Sequence, residues 1–133
     1  MKRSWRKMTA LQLGTCIADN SVNPVELTEY FLERIREHDA NHLIYLRSTP
    51  ERAYKEAEAA STRAKTGMTR SPLDGVPISW KDLYDTAGIL TEGGTPLLAD
   101  RIPEQDAVVL SRAARAGLVC LGKTNTVQFA LGG

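Results

Sequence analysis

The run Leu118-Val119-Cys120-Leu121 constrains this chain most: four apolar residues without a polar break, directly after Gly117. A strand with one wet face alternates apolar and polar side chains, so an unbroken run marks a strand covered on both faces. Upstream, Val76, Ile78 and Trp80 alternate with Pro77 and Ser79, the period of a half-buried strand. Pro77 has no N–H to pair, which places that strand away from the centre of a sheet. Between the two lies a helix signal. Pro103-Glu104-Gln105-Asp106 opens it with Asp106 as predicted N-cap, Val109, Leu110, Ala113 and Ala114 share one side, and Gly117 ends it. A strand, a crossover helix and a buried strand read as α/β with at least one parallel pairing.

The first half reads as helical. Residues 10–18 form a short apolar-rich helix that ends in Asp19-Asn20-Ser21. Asn23 as N-cap, Pro24 at the first helical position and Glu26 three residues after the cap predict a helix over about 24–38, with Leu27, Tyr30, Phe31 and Ile35 on its apolar stripe. Residues 43–46 are β-prone. Thr49 then caps a helix whose Ala53, Ala57, Ala60 and Ala64 make a smooth face for close approach, and Gly67 stops it. A polar linker occupies 67–72, and the glycines at 88, 93 and 94 make 85–96 irregular. There is no internal repeat.

Charge and composition exclude several functions. With 17 basic against 16 acidic side chains the net charge is +1, which gives no electrostatic footprint for nucleic acid. The longest apolar runs fall far short of the ~20 residues that span a bilayer, so the sequence predicts a soluble chain with no membrane partner. Cys16 and Cys120 belong to no CxxC or Cys/His cluster and read as reduced, buried thiols, which fits the cytoplasm. The basic start Met1-Lys2-Arg3-Ser4-Trp5-Arg6-Lys7 lacks the apolar region of a secretory signal. Residues 1–8 read as a solvated basic tail, or as an extension ahead of a true start at Met8.

Lys81 is the sharpest local anomaly. It ends the strand of Val76, Ile78 and Trp80 and faces with Ser79 rather than with those three. A lysine held among apolar groups loses hydration of its charged form and becomes available as a base near neutral pH, as a Ser-Lys hydrolase requires. An ion pair with Asp82 or Asp85 is the competing reading. Thr124 and Asn125, just past the buried strand, fall where α/β proteins place ligand loops, and a loop-fixing hydrogen bond explains them equally well. His38 and His42 stand four apart, but Asp39-Ala40-Asn41 reads as a helix end, so no metal site is expected. Gly93-Gly94-Thr95 reads as a structural turn rather than a phosphate nest, since no GxxxxGK[ST] or GxGxxG accompanies it.

Four blocks carry a resemblance. They are Pro72-Leu73-Asp74-Gly75-Val76-Pro77-Ile78-Ser79-Trp80-Lys81-Asp82-Leu83, Thr86-Ala87-Gly88, Pro103-Glu104-Gln105-Asp106, and Ala116-Gly117-Leu118-Val119-Cys120-Leu121-Gly122-Lys123-Thr124-Asn125. In order and spacing they resemble the N-terminal part of amidase-signature hydrolases, and Ser21-Val22-Asn23-Pro24-Val25-Glu26-Leu27-Thr28 resembles that family's second helix, so the likeness covers about residues 9–133. The resemblance implies a fold of N-terminal helices and the first strands of a mixed sheet, part of a larger α/β/α core. It also implies amide C–N hydrolysis by a nucleophilic serine, a bridging serine and a lysine, with Lys81 as the lysine, Thr124 and Asn125 lining the substrate region, and no cofactor.

The family's Gly/Ser-rich segment, which holds both serines, is expected beyond Asn125. None of the serines at 4, 21, 48, 61, 71, 79 and 111 lies in a Gly-Ser-Ser-Gly-like loop, and Ser79 reads as an ordinary polar strand residue. Residues 1–133 alone are therefore expected to be inactive, with a small-molecule amide as substrate only in a full-length context, and with exposed strand surface that favours self-association or aggregation. Gln128 stands where many relatives are acidic. Lys81-Asp82-Leu83 departs from the Lys-Asp-Asn typical of the amidotransferase component that supplies ammonia for tRNA-dependent amidation, which favours a general amidase over that A-type relative. A non-catalytic interaction module, or a degenerate amidase relative, is the alternative from another class.

Overall fold

The computed structural model describes residues 2–132; Met1, where the basic start begins, and Gly133 lie outside them. Four helices, α1 (Ala10–Ala18), α2 (Pro24–His38), α3 (Pro50–Lys65) and α4 (Val108–Arg115), accompany three strands, β1 (Tyr45–Ser48), β2 (Pro77–Lys81) and β3 (Val119–Thr124). The sheet order is β1-β3-β2, with β3 parallel to β2 and antiparallel to β1. This is the mixed α/β sheet expected. The central strand is buried from Val119 through Lys123, and β2, with Pro77 at its start, is an edge strand among the described residues.

Adjacent residues of β3 serve opposite faces. Val119 packs with Ala53 and Ala57 of α3 and with Val25 and Leu32 of α2, whereas Cys120 packs with Trp80 and with Leu110 and Ala113 of α4. The alanine face of α3 is buried, which lets the helix lie close to the sheet. A third cluster joins Trp5, Leu13, Ile17, Val22, Leu27, Ala64 and Val76. Each large side chain buried here contributes about 1.5–3 kcal/mol. No helix among the described residues is long and apolar enough to cross a membrane.

Several local expectations need correction. Thr49 occupies the N-cap position of α3, but its hydroxyl makes no cap bond and donates instead to the Cys120 carbonyl at 3.0 Å. Helix α4 starts at Val108 rather than after Asp106, because the Asp106 carboxylate is held by the Arg52 guanidinium at 2.8 and 2.7 Å and by the Ala87 N–H at 2.8 Å. A forked, charge-assisted bond outweighs a cap. Val109 is exposed, so Leu110 alone of that helix is buried. The first strand begins at Tyr45 rather than at 43, because the Asp39 carboxylate accepts the N–H groups of Leu43, Ile44 and Tyr45 and bends the chain there. Cys16 is half-buried rather than buried. In the basic start, Lys2–Lys7 form a 3-10 turn whose Trp5 is 5% exposed and packs edge-on against Tyr30, while Arg6 and Lys7 remain exposed.

One glycine sets how closely the turn between α4 and β3 approaches the segment before β2. Gly117 has φ +92°, and a Cβ there would overlap the Asp74 carboxylate. Asp74 is itself tied to Arg63 of α3 at 2.6 and 2.8 Å.

Candidate active site

Strand β2 delivers Lys81 to the end of the sheet. Its register partner on β3 is Thr124, which in turn faces Tyr45 on β1, so Tyr45, Thr124 and Lys81 form one row across the sheet. Ser79 shares the face of Lys81 by the strand period, and its hydroxyl is in hydrogen-bond contact with the Tyr45 phenol. The Lys81 side chain is exposed and has no hydrogen-bond or ion-pair partner among the described residues.

Asp82 turns to the other side. Its N–H donates to the Thr124 carbonyl at 2.8 Å, which extends the parallel pairing by one residue. Its carboxylate is fully buried, accepts from Arg47 Nη1 and the Glu92 N–H at 3.0 Å each, and lies 3.3 Å from Lys123 Nζ. Lys123 is 0% exposed. Its ammonium donates to the Tyr84 carbonyl at 2.7 Å and Thr91 Oγ1 at 2.9 Å, so with Asp82 its three protons have three acceptors. Burial pushes the Lys123 pKa down, and Asp82 opposes that shift. Arg47 completes the group by donating to the Leu90 carbonyl at 2.8 Å and pairing with Glu92.

The irregular stretch after β2 is fixed by a second set of charges. Arg101 grips Asp85 at 2.6 and 2.7 Å, and these bonds hold the Asp85 carboxyl below its usual range. Arg52 does the same to Asp106. Gly93 donates to the Asp82 carbonyl at 2.9 Å and accepts from the Phe129 N–H at 2.8 Å, and a Cβ on Gly94 would meet the Thr126 and Val127 carbonyls. The Gly93-Gly94-Thr95 segment is therefore a turn occupied by protein backbone. Gln128 donates its amide to Thr95 Oγ1 at 3.1 Å, a neutral contact at the position where the family resemblance leads one to expect an acid.

The fold thus brings Lys81 and Thr124 side by side, with Asn125 one residue beyond. Asn125 is exposed; its side-chain oxygen accepts the Thr126 N–H at 2.9 Å, and its backbone N–H donates to the Ile44 carbonyl at 2.7 Å. Those are loop-fixing bonds. The competing expectation for Lys81, an ion pair with Asp82 or Asp85, is overturned because other cations hold both carboxylates. The buried surroundings anticipated for a strand-end lysine belong to Lys123 rather than Lys81. Sequence reasoning assigns Lys123 no role, although a lysine so soon after the unbroken run 118–121 is the available signal. His38 and His42 are both exposed, and no metal-competent cluster occurs among the described residues.

A parallel β2–β3 pair crossed over by α4, with helices α2 and α3 over the central strand, defines a mixed α/β fold. The chain belongs to the Amidase family, whose model matches residues 26–133. It is 39% identical over 125 residues to the A-type component of the glutamyl-tRNA(Gln) amidotransferase of Chloroflexus aggregans, covering 94% of this chain and 26% of that protein. The corresponding mitochondrial protein of Aedes aegypti is 38% identical over 122 residues, 91% of this chain and 24% of that one. Among solved structures, native peptide amidase from Stenotrophomonas maltophilia matches with a TM-score of 0.85 and 29% identity over 92% of this chain and 25% of its own. The chain spans about a quarter of the length of the curated relatives it matches.

Proposed function

We propose that this chain carries the proton-accepting lysine of an amide hydrolase, Lys81, and that it acts only together with polypeptide that supplies the nucleophilic and bridging serines. The observation that carries this reading is the isolation of Lys81: an exposed amine beside Thr124 at the end of a parallel strand, with both nearby carboxylates committed elsewhere. An amine tied to a carboxylate is occupied by that partner, whereas one without a counter-ion is open to hydrogen-bond another group, here the bridging serine. In the scheme the family resemblance implies, the nucleophilic serine bonds to the amide carbon as its proton passes through the bridging serine to the neutral Lys81 amine. Lys81 returns that proton towards the nitrogen as the C–N bond breaks, and water then releases the acyl group. Thr124 and Asn125 border the substrate, a small-molecule carboxamide, and no cofactor enters.

In this reading residues 9–133 are the N-terminal portion of the amidase-signature domain and 1–8 are an appendage anchored by Trp5. The free thiols of Cys16 and Cys120 fit the cytoplasm. The test is a polypeptide extended through both serines: Lys81→Met lowers kcat by at least about 10³-fold with an unchanged circular dichroism spectrum. Full activity in that variant refutes the assignment. Residues 1–133 alone show no turnover.

The 39% identity to an A-type amidotransferase component favours a second reading, in which the same lysine serves such a protein. Glutamine hydrolysis that depends on added partner subunits selects it, and hydrolysis of simple amides by the extended chain alone selects the general amidase.

A further inference from the structure

The charges beneath Lys81 form a group of two cations and two anions drawn from three segments: Arg47 from β1, Lys123 from β3, and Asp82 and Glu92 from the stretch after β2. A lysine with no exposure in a strand costs desolvation energy unless every proton is accepted, and here each one is. What this group accomplishes follows from facing. Lys81 and Asp82 are neighbours in sequence but point to opposite sides of the strand end. An unrestrained Asp82 carboxylate is the nearest counter-ion in sequence for the Lys81 amine. Arg47 and Lys123 hold it, and the Glu92 N–H takes its other oxygen.

We infer that Lys123 is a positioning residue, which together with Arg47 sequesters the Asp82 carboxylate on the far side of β2 and so keeps the Lys81 amine free of a counter-ion. The inference rests on the proposed role of Lys81, but its test does not require turnover. The Lys123 Nζ contacts and the ion pairs around Asp82 also fix the backbone on which Lys81 is carried. Methionine at 123 nearly keeps the length of the side chain and removes the charge, which leaves Asp82 with one cation instead of two.

The experiment is native-state acylation of the 133-residue chain with a succinimidyl ester, read lysine by lysine by mass spectrometry. In the wild type, Lys81 labels at least as fast as the exposed Lys55 and Lys65, and Lys123 labels only after unfolding. Slower labelling of Lys81 than of both references overturns the inference. In Lys123→Met, Lys81 labelling falls about threefold, the scale of an exposed ion pair. The double variant Lys123→Met/Asp82→Asn restores it. Loosened structure without an electrostatic cause does not give that restoration, so a double variant as slow as the single one overturns the inference. Where Lys123→Met does not fold, Arg47→Met carries the same decision, since it removes the other cation on Asp82: a fall supports the inference and an unchanged Lys81 rate overturns it. Loss of kcat in the extended Lys81→Met chain tests the catalytic reading separately, so the two failures are distinguishable.

Discussion

Replacing Asp82 by alanine removes three interactions at once. The Arg47 bond and the Glu92 N–H bond, both at 3.0 Å, are lost together with the ion pair to Lys123 at 3.3 Å. Lys123 stays at zero exposure with two acceptors for three protons, and the Glu92 N–H loses its acceptor. Breaking one side of a buried pair costs about 3–5 kcal/mol, and an unsatisfied N–H adds about 1 kcal/mol, so Asp82→Ala is expected to cost about 4–6 kcal/mol. Set against a urea dependence of about 2 kcal/mol/M, the unfolding midpoint drops by about 2–3 M. Far-UV circular dichroism and the fluorescence of Trp5 and Trp80 in dilute chain follow the transition. The double variant Asp82→Ala/Lys123→Met recovers about 2 kcal/mol, because the stranded charge is gone. A loss below about 1.5 kcal/mol for Asp82→Ala, or no recovery in the double variant, refutes the assigned network.

Other outcomes follow from the same geometry. Gly117→Ala places a Cβ on the Asp74 carboxylate at φ +92° and costs more than about 2 kcal/mol by the same urea assay. The pH dependence has a defined sign. Asp85 and Asp106 are held below the ordinary carboxylate range by hydrogen bonds from Arg101 and Arg52, so the stability they contribute is present above the unfolded-state pKa and is lost as pH falls through their lower folded-state values. Thermal midpoints measured between about pH 6 and pH 2.5 decline on the acid side, and a flat profile contradicts the two pairs. Exposed Leu97, Ile102, Val108 and Leu131 lead us to expect self-association of the 133-residue chain in sedimentation velocity; a monodisperse monomer with a cooperative melt argues against it.

The elements that periodicity announces are the ones the fold contains. The helix over 24–38 begins at Pro24 with Asn23 as its cap, whose side chain accepts the Val25 N–H at 2.9 Å, because both signals act within one turn and need no distant partner. The unbroken run after Gly117 is the central strand, as its lack of alternation requires. What sequence conceals is the destination of polar side chains that have a choice of partners. Asp106 and Thr49 carry good capping chemistry, yet one is taken by a guanidinium 54 residues away and the other by a carbonyl 71 residues away. The capping box of α1, between Thr9 and Gln12, is a local signal that the sequence reading passes over. At the candidate site, Lys81 and Thr124 are identifiable from motif and position. Their adjacency depends on the parallel register, and the pairing of Asp82 with Lys123 depends on which side of β3 the residue after Gly122 faces.

That last dependence explains why two lysines of similar sequence context have opposite fates. Lys81 and Lys123 each lie at the end of a strand rich in apolar residues, and the paired strands run parallel, so both arrive at the same end of the sheet. Trp80 is the register partner of Lys123, and both point to the side of the sheet where Arg47, Asp82 and the folded-back stretch from Tyr84 to Glu92 close over them. Lys81, one residue later, pairs with Thr124 and faces the other way, towards Ser79 and Tyr45. The irregularity in the ladder between Ile78 and Ser79 sets this phase: without it Ser79 would pair with Leu121, and Lys81 rather than Trp80 would be the partner of Lys123. The extra β3 residue, Leu121, sets which way Lys123 faces, and the regular alternation of β2 turns the Lys81 amine to the opposite side, at the edge of the candidate site.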